Sequence, residues 1–299
     1  FGEQQPVRGD RVLQRGVVGR IGDVDTARDH ADRAAGSGPR AVPPERTDMW
    51  NEFPNSPEPA REKDEDIRAR PNYANHLGVD VMLSLHTNGN AAPGVRGAEV
   101  YHHRTKPEDK ALGDSILCGM REVIHAQPGY ESFPVRAESV AEGHGENRIG
   151  TMPSVIVETA YHSNPEDVAA LQDPVFRSAA MKGVEKGYRL WATGKSCEPL
   201  TLAPIADVEI PTQSAREIEL GYQGNPQYPV TIEFTSASCS KPGACTPTRT
   251  LFEDPTKPIR AELTCKGSSP GVARWSVVLR DADGAATPPV VFQHSCVQV

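Results

Sequence analysis

Two short apolar runs in this chain end on residues that can do chemistry. Val79-Asp-Val-Met-Leu-Ser-Leu85 passes directly into His86, Thr87 and Asn88. Pro153-Ser-Val-Ile-Val157 passes into Glu158, with Ser163 and Asn164 just beyond. Runs of this composition form buried strands, and groups at the C-terminal ends of parallel strands line the ligand crevice. An imidazole at one end and a carboxylate at the other suit metal-assisted hydrolysis. The imidazole can hold Zn²⁺, and the carboxylate can carry protons to and from an attacking water. Taken singly, the histidine reads as a buried, hydrogen-bonded side chain and the glutamate as an ion-pair partner. They become a site only if the fold brings them together.

The elements around these runs follow from periodicity and breakers. Pro59 to Asn75 reads as a helix with acids early and arginines late, which suits the helix dipole, and Pro71 is expected to kink or divide it. Strands are expected at 80–86 and 96–101. Pro107 opens a helix to about His125, with Leu112, Ile116, Leu117, Met120 and Ile124 on one face. The segment 127–150, rich in Gly, Pro and Glu, reads as a loop. After Asn164, Pro165 opens one helix, and Pro174 to about Trp191 forms another. Strands alternating with helices indicate an α/β fold with a mainly parallel sheet flanked by helices.

Four segments resemble the zinc-dependent N-acetylmuramoyl-L-alanine amidases of the amidase-3 family. Ser84-Leu-His-Thr-Asn88 is similar to that family's S-[IL]-H-[AT]-N strand end, and Gly97-Ala-Glu-Val-Tyr101 to the strand after it. Pro153 to Asn164 resembles its P-[AS]-V-L-V-E-x-[GA]-F-x-S-N segment, with Tyr161 in place of the frequent Phe. Arg68 to Asn75 resembles its L-x-x-R-x-x-x-A-N helix. The likeness runs over about residues 61–192. It implies hydrolysis of the amide between N-acetylmuramic acid and L-alanine in peptidoglycan. It also implies that His86 is a zinc ligand, Glu158 the catalytic carboxylate and Asn88 a substrate contact or a support for the site. Ser163 and Asn164 are expected to cap the following helix.

One part of the family pattern is not met. The D-P-G-H-G-G string that carries the first histidine ligand is not found, nor is the ligand glutamate that follows it. His30 and Glu45 stand near the expected separation, but in Pro- and Gly-broken sequence that reads as solvent-exposed. His144 and Glu146, beside the glutamate strand, are remote substitutes. His102 and His103 read as surface residues, and His162 as a possible lining of the cleft. Two explanations follow: a fragment whose first ligands lie upstream, which we prefer, or an amidase scaffold without metal that serves as a cell-wall-binding or assembly protein.

The bulk composition sets further bounds. The 299 residues suggest two domains, and a formal charge of −8 argues against nucleic acid as the main partner. No apolar run is long enough to span a membrane. Muramyl peptides are the expected partner, and a secreted or cell-envelope location the expected setting. Six cysteines, five of them from Cys197 onward, favour disulfides in an exported protein. The Pro-Gly turn inside 239–245 suggests a local bridge, 265 and 296 could tie two strands, and 118 would then join 197. A buried free thiol at Cys118 is the competing reading. Residues 1–195 read as the α/β domain, irregular up to 60, where Trp50 and Phe53 are expected to anchor a long loop. Residues 196–229 read as a Pro-rich linker or first strands, and 230–299 as a small all-β sandwich.

Overall fold

The computed structural model describes residues 61–240 and 245–298. His30, Glu45, Trp50 and Phe53 therefore lie outside the described residues. Among the described residues two compact units emerge: one includes residues 61–117, Pro134–Pro174 and Gly187–Lys195, and the other Cys118–Phe133, Val175–Lys186 and the described residues from Ser196.

The first unit carries a four-stranded sheet. Its strands are β1 (Met82–Asn88), β2 (Glu99–His103), β3 (Val140–Glu142) and β4 (Ser154–Tyr161), in the order β1-β4-β2-β3. β1 runs parallel to β4 and β2 parallel to β3, while β4 and β2 are antiparallel. β4 is an inner strand, and Val155 and Val157 on one face and Ile156 on the other are all buried, as a strand covered on both faces requires. Helix α1 (Arg61–Leu77) continues through Pro71 as a single element, so the expected division does not occur. Helix α2 (Pro107–His125) has the expected bounds, and its face of Leu112, Ile116, Leu117, Met120 and Ile124 is wholly buried.

The 127–150 segment is more ordered than its composition suggests. It holds β3 and a single-turn helix, α3 (Gly145–Ile149). β3 also accounts for His102, which is buried rather than on the surface. β2 extends to His103 to pair with β3, and this draws the His102 ring under cover. Burial holds that imidazole below its usual pKa.

Helix α4 (Pro165–Gln172) starts with Pro165 in its first turn, and Asn164 accepts from the backbone N–H groups of Glu166 and Asp167. Ser163 does not share that cap; its hydroxyl accepts from the Asn90 N–H at 2.9 Å. Helix α5 (Pro174–Ala192) has glycines at 183 and 187 for a steric reason. A Cβ at either position would lie 2.4 Å from backbone of α2, at Met120 and Ile116 respectively, so only hydrogen allows the helices this close.

The second unit is mostly β. The segment 196–229, read as a linker or first strands, holds four strands, β5 (Thr201–Leu202), β6 (Val208–Pro211), β7 (Ser214–Glu219) and β8 (Tyr222–Gln223). Then follow β9 (Val230–Cys239), β10 (Thr248–Phe252), β11 (Arg260–Cys265), β12 (Gly271–Arg280) and β13 (Val290–Val297). One sheet has the order β10-β9-β12-β13-β6, antiparallel except for the β13–β6 pair; β11 pairs with β7, and β5 with β8. Inward residues alternate along β12, with Ala273, Trp275, Val277 and Leu279 buried. Disulfides join 118 to 197, 239 to 245 and 265 to 296, so Cys118 is not a free thiol.

Candidate active site

The sheet register brings the two sequence-derived residues together. His86 on β1 is the register partner of Glu158 on parallel β4, and Glu158 in turn partners Glu99 on antiparallel β2. One imidazole and two carboxylates thus stand in a row across three neighbouring strands. Paired residues project to the same face of a sheet.

A third carboxylate comes from outside the sheet. Glu146 on α3 is 4% exposed, and its Oε2 lies 3.4 Å from His86 Nε2. Its other oxygen is ion-paired with Arg70 on α1. Helix α3 is too short to hold itself in place, and its neighbours fix it. Asn75 donates to the Ile149 carbonyl at 3.0 Å and accepts from the Thr151 N–H at 2.8 Å. Lys106 donates to the carbonyls of Asn147 and Gly150, and Asn147 donates to the Tyr101 carbonyl at 2.9 Å. Arg70 and Asn75 are the Arg and Asn of the helix motif noted above. Their role in holding Glu146 was not foreseen; the signal was a motif whose polar residues had no assigned partner.

Charge is distributed unevenly over this group. Burial alone would raise the Glu146 carboxyl, but the hydrogen bond from His86 and the Arg70 charge outweigh it and hold it low. The same hydrogen bond keeps the His86 imidazolium favoured, against burial. Glu158 goes the other way. Its Oε2 is buried without a hydrogen-bond partner, and desolvation, with the charges of Glu99 and Glu146, lifts its carboxyl to about 7 despite the opposing His86.

Asn88 is engaged in the structure. Its amide donates to Glu99 at 2.8 Å and to the Tyr101 hydroxyl at 3.2 Å, while its oxygen accepts from the Gly89 N–H. The hydroxyls of Tyr101 and Tyr161 also donate to Glu99, and Arg136 lies 3.4 Å away. Burial, with the hydrogen bond to Glu99 and its charge, pushes the Tyr101 hydroxyl up to about 12. His162 is exposed and hydrogen-bonded to the Thr87 hydroxyl at 3.2 Å, and the exposed His144 ring stacks edge-on against Tyr101.

Comparison with known proteins bears on this arrangement. Residues 58–189 match the Amidase_3 family, N-acetylmuramoyl-L-alanine amidase. The match spans less than half of the chain. The segment holds every residue of the cluster. N-acetylmuramoyl-L-alanine amidase LytC of Bacillus subtilis (strain 168) is 27% identical over 123 residues, which is 40% of this chain and 23% of LytC. The chain thus matches less than a quarter of that relative's length. Among solved structures, the CwlD amidase of Clostridioides difficile, in complex with the GerS lipoprotein, is 16% identical. The match covers 48% of this chain and 70% of CwlD with a TM-score of 0.41. The catalytic domain of CwlV from Bacillus (Paenibacillus) polymyxa var. colistinus is 23% identical, covering 44% and 66% at a TM-score of 0.35.

The donor set near His86 partly suits zinc. Imidazole nitrogen and carboxylate oxygen are zinc's ligands, and two ligand atoms of a tetrahedral site stand roughly 3.3 Å apart, given bonds of about 2.0–2.1 Å. The His86–Glu146 distance of 3.4 Å matches that edge. Among the described residues, the one group of three or more close His, Cys, Asp or Glu donors lies elsewhere, at Cys265, His294 and Cys296. That group is no thiolate site, because its two sulfurs are joined in a disulfide.

Proposed function

We propose that this chain is a zinc-dependent amide hydrolase that cleaves the bond between N-acetylmuramic acid and L-alanine in peptidoglycan. The observation that carries the proposal is the facing of His86 and Glu158 on adjacent strand tips, with one Glu158 oxygen buried and unpartnered. In this reading His86 and Glu146 hold Zn²⁺ and leave positions open, as catalytic sites do. Bound zinc supplies Lewis acidity that polarises the scissile carbonyl and makes water more acidic.

The protein's own residues do the rest. Glu158, with a carboxyl near neutrality, takes the proton of the attacking water and later delivers it to the leaving amine of L-alanine. Arg70 fixes Glu146, and Glu146 fixes the His86 ring. Asn88 faces the substrate side of this edge and holds Glu99 and Tyr101 in place. We assign this chemistry to residues 1–195 and an accessory role to 230–299, joined through 196–229. A secreted or cell-envelope location follows from the substrate, and no helix among the described residues is long and apolar enough to cross a membrane.

The test is product analysis by mass after incubation of the zinc-loaded chain with purified wall fragments. Stem peptides with a free L-alanine amine should appear. They should vanish with chelator and with His86→Ala, and His86→Ala should also lower bound zinc. Release that survives both changes rejects the proposal. The second reading, a non-catalytic wall-binding or assembly protein, draws on the engagement of His86 Nε2 with Glu146. It requires sedimentation with peptidoglycan to persist through chelator and His86→Ala while no peptide is released.

A further inference from the structure

The small sheet formed by β7 and β11 is two strands wide, so β11 pairs with β7 on one edge and with no strand on the other. The register tells which backbone groups stay open. The Leu220 N–H donates to the Ile259 carbonyl at 2.9 Å, which makes these two a hydrogen-bonded pair just before β11 begins. Hydrogen-bonded and non-bonded pairs alternate along an antiparallel ladder. Residues 261, 263 and 265 therefore bond to β7, and the N–H and C=O groups of Arg260, Glu262 and Thr264 point away from it. Among the described residues no other group bonds to them.

Those three residues line a cavity of about 670 Å³, whose other walls include Phe234 on β9 and Thr248 and Thr250 on β10. Open backbone donors and acceptors along a cavity wall suit an extended chain that adds a strand. The side chains define its pattern. Arg260, Glu262, Thr264 and Lys266 are exposed, whereas Leu263 and Cys265 between them are buried. Arg260 is held by Glu217 at 3.3 Å and Glu219 at 3.5 Å. Glu262 faces the like-charged Glu217 across the ladder, an unfavourable pairing. Neither Glu262 nor Lys266 has an ion-pair partner among the described residues. A base set against Glu262 and an acid set against Lys266 would satisfy both charges. Apolar residues between them would turn inward, as Leu263 and Cys265 do.

We propose that the free edge of β11 binds an extended peptide segment of the form acid, apolar, polar, apolar, base, as an antiparallel third strand of the small sheet. The site stands on the β-rich unit alone and needs no hydrolysis.

The test titrates the full chain into a fluorescein-labelled Thr-Glu-Val-Thr-Val-Lys-Thr peptide and follows its anisotropy. Binding should saturate. N-methylation of the central threonine and the lysine, whose amides face β11, should weaken it at least about tenfold. N-methylation of the two valines, whose amides face away, should be tolerated. Lys266→Glu should weaken binding about fivefold, and a peptide with lysine in place of its glutamate should restore it. Thr264→Pro removes an outward N–H without touching a bond to β7 and should abolish binding with the thermal midpoint kept. Should that variant not fold, Lys266→Glu and its rescue carry the comparison. No saturation at millimolar peptide, equal affinity for both methylated peptides, or indifference to Lys266→Glu overturns the proposal. So does a dimer in sedimentation that Lys266→Glu dissociates, since a second copy would then hold the edge. Repeating the titration on His86→Ala separates this site from the hydrolase reading: affinity should be unaltered there, and its loss would move the peptide away from β11 and overturn the proposal.

Discussion

Two buried charge clusters in this chain are built on opposite lines. In the β-rich unit, Lys186 is wholly buried between Glu122 at 2.9 Å and Asp281 at 3.0 Å. Asp281 also accepts from the backbone N–H groups of Gln227 and Ala285, and Glu122 accepts from that of Leu200. Burial alone would lower the Lys186 ammonium, but the Asp281 charge and the Glu122 hydrogen bond keep it above its ordinary value. In the α/β unit, Glu158 sits between His86 and Glu99 with a buried oxygen that nothing satisfies. The first cluster uses its charges to tie two helices to the strands beyond them. The second leaves a buried acceptor without a partner at the cost of stability, an arrangement that fits the hydrolytic role proposed above.

The largest effect that can break this contrast is at Glu158. Glu158→Gln keeps the shape and removes the carboxyl proposed to carry the proton. Turnover of a muramyl peptide should fall by roughly 10²–10⁴-fold, while the thermal midpoint should not fall. A stable variant with full turnover would remove Glu158 from the mechanism. Lys186→Met should behave in the reverse way. It leaves two carboxylates buried without their cation and should cost about 3–5 kcal/mol in denaturant unfolding. Removing Glu122 together with Lys186 should recover part of that loss, since one stranded charge is gone.

A smaller effect has a definite sign. The Glu158 carboxyl is raised from 4.5 to about 7 in the fold. A raised carboxyl contributes stability that is fully present below the unfolded value and lost as pH climbs through the folded one. Metal-stripped protein should therefore lose stability between about pH 4.5 and 7. A shift of one unit corresponds to about 1.4 kcal/mol, and partial exposure reduces the total to roughly 1–2 kcal/mol. Glu158→Gln should flatten this part of the curve, whereas Lys186→Met should leave it in place. Equal pH profiles for wild type and Glu158→Gln would show that the carboxyl is not strained.

The contrast also explains which features were legible in the sequence. His86 and Glu158 stood out because each ends an apolar run, a pattern carried by neighbouring residues. Their facing across β1 and β4 depends on register, which no local pattern encodes. Glu146 was visible only as a remote substitute, because a single-turn helix has no periodicity to read and its partner Arg70 is far away in the chain. The same holds for β3, three residues long, whose pairing covers His102. Lys186 looked like any exposed lysine on a helix, since its two carboxylates come from α2 and from the turn after β12. The disulfides were more accessible. A Pro-Gly turn marked the 239–245 loop, two strand-like runs suggested 265 with 296, and 118 was left for 197 against the competing reading of a free thiol.

The smallest effect tests whether position near the site or satisfaction of polar groups governs behaviour. Asn164 lies just past the end of the Glu158 strand, within the same family motif, yet its polar atoms are all used. Its oxygen caps α4 through Glu166 and Asp167, and its amide donates to the Pro93 carbonyl at 2.7 Å. It therefore belongs with Lys186 rather than with Glu158. Asn164→Ala should cost about 1 kcal/mol, as loss of a helix N-cap does, with a lowered midpoint and little change in turnover below the melt. Asn164→Asp keeps the capping oxygen and should restore most of the stability. If Asn164→Ala instead cut turnover a hundredfold with an unchanged midpoint, proximity to the strand end would outweigh hydrogen-bond satisfaction, and the division between the two clusters would fail at its nearest test.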